Sequence, residues 1–292
     1  MVTLLGLGSA LFYGAADFLG GAASRRATVL PVLMVSVPVG LAILCLIAIV
    51  AGDAPAPAGL AWGFGSGLAG GAGLITFYRA LASGPMSVVA PVSALAAAVL
   101  PVVVGTLGGE RLAPPVLVGV LLCLAAIALV SMEENGPGTR PAGRPVRRFA
   151  DSGPLMAALS GTGFGVFFVL LRQGGDESGF WPLVASRSGG LAVILAAVLV
   201  LRLRGGPRSG GTAVAGTTLV LAVLSGLLDG IANLLYFLAA QAGMLSMAAV
   251  LTSLYPAVTV LLARVVYSER LRVIQRLGLA VAVAGVALVT IN

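Results

Sequence analysis

The sequence predicts an all-α integral membrane protein whose ten transmembrane helices form two inverted five-helix repeats. Three observations carry that prediction: an apolar composition, a one-sided distribution of arginine, and a segment that recurs at fixed spacing. Of the 292 residues, 59% are hydrophobic and only 9% charged, and the mean hydropathy is +1.09. Soluble domains carry about 25% charged residues, so neither a soluble globule nor a disordered chain fits. A spanning helix takes about 20 apolar residues. Ten of them with short loops use up the chain.

Apolar runs bounded by Arg, Gly and Pro place the helices at 3–22, 28–51, 58–81, 86–107, 114–132, 154–172, 180–201, 216–240, 244–266 and 272–290. The first run ends on Ala22-Ala23, which resembles a signal-peptide cleavage region. A signal peptide, however, carries positive charge before its apolar stretch. Met1–Leu5 has none, and Arg25 and Arg26 follow the run, so it reads as an uncleaved span with its N-terminus outside. The odd-numbered loops and their helix ends then hold Arg25, Arg26, Arg79, Arg140, Arg144, Arg147, Arg148, Arg202, Arg204, Arg208, Arg264, Arg270, Arg272 and Arg276. The opposite side holds only Arg111 and Arg172, and Arg187 lies within a span. Cytoplasmic loops are the basic ones. The expected arrangement is therefore a multi-pass cell-membrane protein with both termini outside, and the net charge of +7 is an orientation signal rather than a footprint for nucleic acid.

The segment Glu133–Asp151, rich in Pro, Gly and Arg, reads as a flexible connector. It divides the chain into a first five-helix repeat (1–132), a basic cytoplasmic linker (133–153) and a second repeat (154–292). Residues 66–130 match 225–289 without a gap at a constant spacing of 159, with 19 of 65 positions identical. Ser66-Gly67-Leu68 matches Ser225-Gly226-Leu227, and Glu110-Arg111-Leu112 matches Glu269-Arg270-Leu271. With an odd number of helices per repeat, the second copy enters the membrane from the other side. Inverted repeats of this kind give secondary transporters two alternative gates around a midplane site.

Several chemistries are excluded. Without His there is no imidazole catalysis, metal site or pH switch. All 17 basic residues are Arg, which removes Lys Schiff bases and P-loops. Cys45 and Cys123 each sit in apolar runs and build no disulfide framework. The expectation is a protein that is not an enzyme and uses no cofactor and no metal.

The repeat, Gly109-Glu110-Arg111-Leu112 with its variant Ser268-Glu269-Arg270-Leu271, Pro256 thirteen residues before Glu269, and Tyr13-Gly14 in the first helix together resemble the ten-helix EamA-type family of the drug/metabolite transporter superfamily. The resemblance covers essentially the whole chain. At the position matching Pro256 the first half has Ala97, with prolines at Pro91 and Pro101 instead. The resemblance implies export or exchange of small metabolites through a central cavity between the halves.

Apart from the arginines at helix ends, three charges fall inside spans: Asp17, Arg187 and Asp229. An Asp at the bilayer centre costs about 2.5–3.5 kcal/mol to insert, so Asp229 must face protein or a watery cavity. Ser225, Asp229 and Asn233 lie one turn apart on one helix face. That stripe reads as a substrate-binding wall, or as an interhelical hydrogen-bond clamp. Asp17, with Tyr13 one turn earlier, reads as a cavity residue or as an acid paired with Arg25 or Arg26. Arg187 meets a substrate carboxylate or neutralises a buried acid. Tyr255 sits beside Pro256, where a kink would bare backbone carbonyls.

The expected substrate site is thus Asp229, Asn233, Tyr13, Arg187, Tyr255 and Ser225, with Asp229 and Asp17 as candidates for carrying a coupling proton. Trp181 is expected in the interfacial aromatic belt. Gly63, Gly67 and Gly71 form a packing ridge, serving either internal contacts or a dimer, so monomer and homodimer stay open. The Glu-Arg pairs are expected to cap or tie loop ends. The partners expected are a small-molecule substrate, membrane lipid and protons, and not nucleic acid. A lipid flippase, an uncoupled facilitator and a non-transporting accessory protein are the competing readings.

Overall fold

In the computed structural model of the chain, residues 1–83, 86–111, 113–131, 153–175, 178–203, 214, 216–267 and 273–290 are described. They form eleven α-helices and no strand among the described residues: α1 Val2–Arg26, α2 Val29–Ala51, α3 Pro57–Ser83, α4 Met86–Leu107, α5 Pro114–Ser131, α6 Gly153–Gln173, α7 Trp181–Leu203, α8 Thr217–Ala242, α9 Leu245–Thr252, α10 Tyr255–Tyr267 and α11 Val273–Thr290. Seven stretches are long and apolar enough to cross a membrane, with α9 and α10 together making one of them. The connector 133–151, the loop around 204–213 and the Glu269-Arg270 pair lie outside the described residues.

Proline and glycine set the ends. Pro57 and Pro114 open α3 and α5, where a missing N–H and a fixed φ cost nothing. Gly52, at φ 75°, closes α2 in a left-handed cap with its N–H on the Ile49 carbonyl, a conformation that glycine adopts without penalty. The single expected helix at 244–266 is two helices, broken at Ser253-Leu254, so that Pro256 is the second residue of α10. Pro256 has no N–H to continue the ladder, so the chain turns through Leu254 N–H on Leu251 O (3.3 Å) and restarts. α4, with Ala97 at the matching position, runs unbroken.

The spacing of 159 carries α3, α4 and α5 onto α8, onto α9 with α10, and onto α11, with boundaries agreeing within a residue. The packing repeats as well. α1 lies on α8 as α6 lies on α3, α2 on α8 as α7 on α3, and α4 on α6 as α10 and α9 on α1; α5 and α11 pair with each other. Exchanging the halves therefore reproduces the same arrangement. The helix ends sort accordingly. Val2 of α1 reaches Gly243 after α8, Ser178 before α7 lies over Gly59 of α3, and Glu110 after α4 reaches the start of α9. The Trp181 indole at the start of α7 donates to Asp53 O after α2 (2.6 Å), tying these two helix ends together.

The glycine ridge of α3 is internal. Gly63, Gly67 and Gly71 pack on Pro182, Ser186 and Gly190 of α7, and a Cβ on Gly67 would collide with the Ser186 carbonyl oxygen. The same crossing recurs where Gly226 of α8 meets the Ser36 carbonyl of α2 and Gly230 meets Gly40. Overpacking a tight contact costs about 1–3 kcal/mol. Gly67→Ala and Gly226→Ala should each lower stability by about 2 kcal/mol in detergent unfolding. Gly65→Ala, whose added methyl meets only Leu170 at 4.0 Å, should be neutral or slightly stabilising; equal melting temperatures for all three would contradict the assignment.

Candidate functional site

A cavity enclosing about 710 Å³ of interatomic space, its mouth included, opens between the halves. Six of the seven residues expected at the site line it: Tyr13, Asp17, Arg187, Asp229, Asn233 and Tyr255. Ser225 does not. Its hydroxyl donates to Ala16 O (2.9 Å), leaving the Tyr78 hydroxyl to donate to Ser225 Oγ (3.2 Å). The stripe on α8 therefore divides, with Asp229 and Asn233 turned to the cavity and Ser225 acting as a clamp between α8, α1 and α3.

α1 is held on both sides of its cavity face. Ser9 donates to Ala232 O of α8 (2.8 Å), and Thr259 of α10 donates to Gly14 O (3.1 Å). Gly14 is required there: a Cβ would strike the Tyr255 carbonyl and Val258. With these ties above and below, Tyr13 and Asp17 are presented at fixed depth. Tyr13 sits edge-on to Phe168 (6.5 Å between centroids) and tilted to Tyr255 (6.3 Å). Phe168 in turn stacks on Tyr236 at 4.3 Å, whose hydroxyl donates to Phe168 O (3.0 Å).

The two acids have different company. Arg187, only 8% exposed, pairs with the Asp229 carboxylate and also donates to the Asp229 carbonyl (3.3 Å). Asn233 Nδ2 donates to that carbonyl as well (2.7 Å) and lies 3.5 Å from the Asp229 carboxylate. Arg187 thus pairs with an acid inside the helix bundle, one of the two roles expected of it, and that acid is half-buried on the cavity side. Arg187 Nε and Asn233 Oδ1 are buried without a hydrogen-bond partner. Asp17, 9% exposed, has no hydrogen bond or ion pair among the described residues; its face is the cavity rather than Arg25 or Arg26.

Sequence reasoning missed the opposite wall. Val37, Gly70, Leu74, Phe164, Phe167 and Phe168 are among the other lining residues. A signal for them existed. Leu33-x-x-Ser36-x-x-x-Gly40-Leu41-Ala42 recurs 150 residues on as Leu183-x-x-Ser186-x-x-x-Gly190-Leu191-Ala192, and Ser9 and Gly14 recur 151 residues on as Ser160 and Gly165. These registers, with the 159 register of the later helices, pair the lining across the halves: Tyr13 with Phe164, Asp17 with Phe168, Val37 with Arg187, Gly70 with Asp229, and Leu74 with Asn233. Both members of all five pairs line the cavity. The cavity sits where the two halves meet.

Beyond the lining, Glu110 accepts from the backbone N–H groups of Leu245 (2.7 Å) and Ser246 (3.2 Å). It ties the loop after α4 to the α9 N-terminus, where a carboxylate is electrostatically favoured.

Comparison with curated proteins returned no match. A solved crystal structure, 22% identical over 99% of this chain and 96% of its own, superposes with a TM-score of 0.73; at that identity it shows the fold alone. The sequence profile of the EamA-like transporter family matches residues 1–132 and again 151–291. The chain belongs to the EamA-like transporter family.

Proposed function

We propose that the chain is a secondary transporter of small metabolites that works by alternating access, with export as the direction the family resemblance implies. Its ten spans are α1 to α8, α9 with α10, and α11, divided into repeats at 1–132 and 154–292. Catalysis has no part in this reading. The observation that carries it is the cavity between the repeats, lined by symmetry-related residues of both and holding one acid without a partner. A cavity shared by two inverted halves can be closed by either of them at either end.

The helix ends support the inverted arrangement. The N-terminal end of α1 meets the C-terminal end of α8; the C-terminal ends of α2 and α6 meet the loop before α7 and the start of α3. The C-terminal end of α4 meets the N-terminus of α9. All these ends lie on one side, which requires α1 and α6 to run in opposite directions. The arginine bias makes that side the outer one. On a background of Cys45→Ala and Cys123→Ala, a membrane-impermeant maleimide should label Asp53→Cys in intact cells. It should label Ala27→Cys only after permeabilisation. The reverse pattern would invert the topology.

Of the two acids considered for proton coupling, Asp17 is the better carrier. Asp229 is neutralised by Arg187 and held by Asn233, and breaking such a pair costs about 3–5 kcal/mol. Asp17 carries no such commitment. Comparing metabolites exported and retained by cells with and without the protein identifies a substrate for reconstitution. In proteoliposomes under an imposed pH gradient, Asp17→Asn should then lose at least tenfold of gradient-driven flux while keeping substrate exchange. Asp229→Asn should lower flux at all gradients but keep its pH dependence. Undiminished pH dependence in Asp17→Asn would remove it as the coupling group.

A further inference from the structure

The paired lining carries an inference about what the cavity takes, and it rests on the transporter reading. In the five pairs, polarity is not shared between partners. Asp17 and Tyr13 of α1, Arg187 of α7, and Asp229 and Asn233 of α8 gather on one wall. Their counterparts are Phe168, Phe164, Val37, Gly70 and Leu74. α1 packs on α8 and α6 packs on α3, and Arg187, although its own helix α7 packs on α3, reaches across to Asp229; the polar groups therefore gather around the faces of α1 and α8, while the rings of α6 lie with α3. The scaffold is twofold, but the cavity has a polar side and an apolar side.

Charge fixes the chemistry of the polar side. Arg187 and Asp229 satisfy each other, leaving one carboxylate, Asp17, with no partner among the described residues. An ionised Asp17 gives the cavity one uncompensated negative charge in a poorly hydrated setting. No second acid stands at the mirror position, which is Phe168. The geometry points to an occupant that is a monoamine cation with an apolar body. Its ammonium group sits at Asp17, and its body lies against Phe164, Phe167 and Phe168, whose ring faces also attract cations. A carboxylate on the occupant would have to displace Asp229 from Arg187, and a second ammonium group would find no second unpaired carboxylate among the lining residues.

Equilibrium binding to the purified full-length protein tests this with isosteric probes: phenethylammonium, 2-phenylethanol, 3-phenylpropionate, phenylalanine and 1,6-diaminohexane. Phenethylammonium should bind saturably and at least tenfold more tightly than any of the other four. Asp17→Asn should weaken phenethylammonium at least tenfold and leave 2-phenylethanol unchanged, whereas Asp17→Glu should preserve the order of affinities. Tighter binding of the alcohol, the anion or the zwitterion to the native protein overturns the assignment, as does the absence of saturable amine binding. The native series stands even where a variant fails to fold. Selective amine binding without amine flux in proteoliposomes keeps the assignment and removes the transporter reading. Flux of a neutral or anionic metabolite without amine binding keeps the transporter reading and removes the assignment.

Discussion

Two backbone crossings hold the architecture together. At one, Gly67 and Gly71 of α3 lie on Ser186 and Gly190 of α7; at the other, Gly226 and Gly230 of α8 lie on Ser36 and Gly40 of α2. In lipid there is no hydrophobic force between helices beyond what the tails already supply, so close van der Waals approach has to do that work. Residues without a Cβ allow it, and the sequence places them at the same relative positions in both halves. Each crossing joins a helix of one half to a helix of the other. The halves therefore interlock, and a cavity between them is a consequence of how they are held. Arg187 depends on this directly. Its Nε lies over Gly40, the residue that meets Gly230 at the second crossing, and from there its guanidinium reaches Asp229.

That reach explains how a full ion pair persists among apolar helices. Taking Arg and Asp out of water is costly unless each finds a partner and the remaining polar atoms are served. The Asp229 carbonyl accepts from both Arg187 and Asn233, so the pair is embedded in a small network rather than standing alone. The first half has no equivalent, because Val37, Gly70 and Leu74 occupy the matching positions. Duplicating the network would place two Arg–Asp pairs face to face across one small cavity. A single copy concentrates the polar groups on one wall and leaves the aromatic residues of α6 to make the other.

Much of this was legible in the sequence, and the boundary between what was and was not has a physical basis. The spans follow from apolar runs, and nine of the expected helices lie within about four residues of those observed. The 159 register of the later helices was visible because Ser-Gly-Leu and Glu-Arg-Leu triplets anchor it. The registers of 150 and 151 were not seen, because extra residues between α7 and α8 shift the spacing to 159 and the shared positions are small or apolar. Without them the apolar wall could not be assigned: Phe164, Phe167 and Phe168 look like any lipid-facing aromatic residues until Tyr13 and Asp17 are recognised as counterparts of Phe164 and Phe168. Ser225 illustrates the opposite error. One-turn spacing places three residues on a face about 80° wide, wide enough for one edge to face a cavity while the other packs against α1.

The two halves also differ in the helix that carries Pro256. α4 is continuous through Ala97, while its counterpart breaks into α9 and α10. α9 is only eight residues long, below the length at which an isolated helix holds in water, and its N-terminus is fastened from the other half by Glu110. Tyr255 stands at the break, in contact with Tyr13. One short, separately anchored segment thus links the loop after α4 to the aromatic side of the cavity. Among the described residues the unbroken α4 makes no such link. The ends of the cavity are consequently not equivalent, and the half bearing the Arg187–Asp229 pair is also the half with the jointed helix.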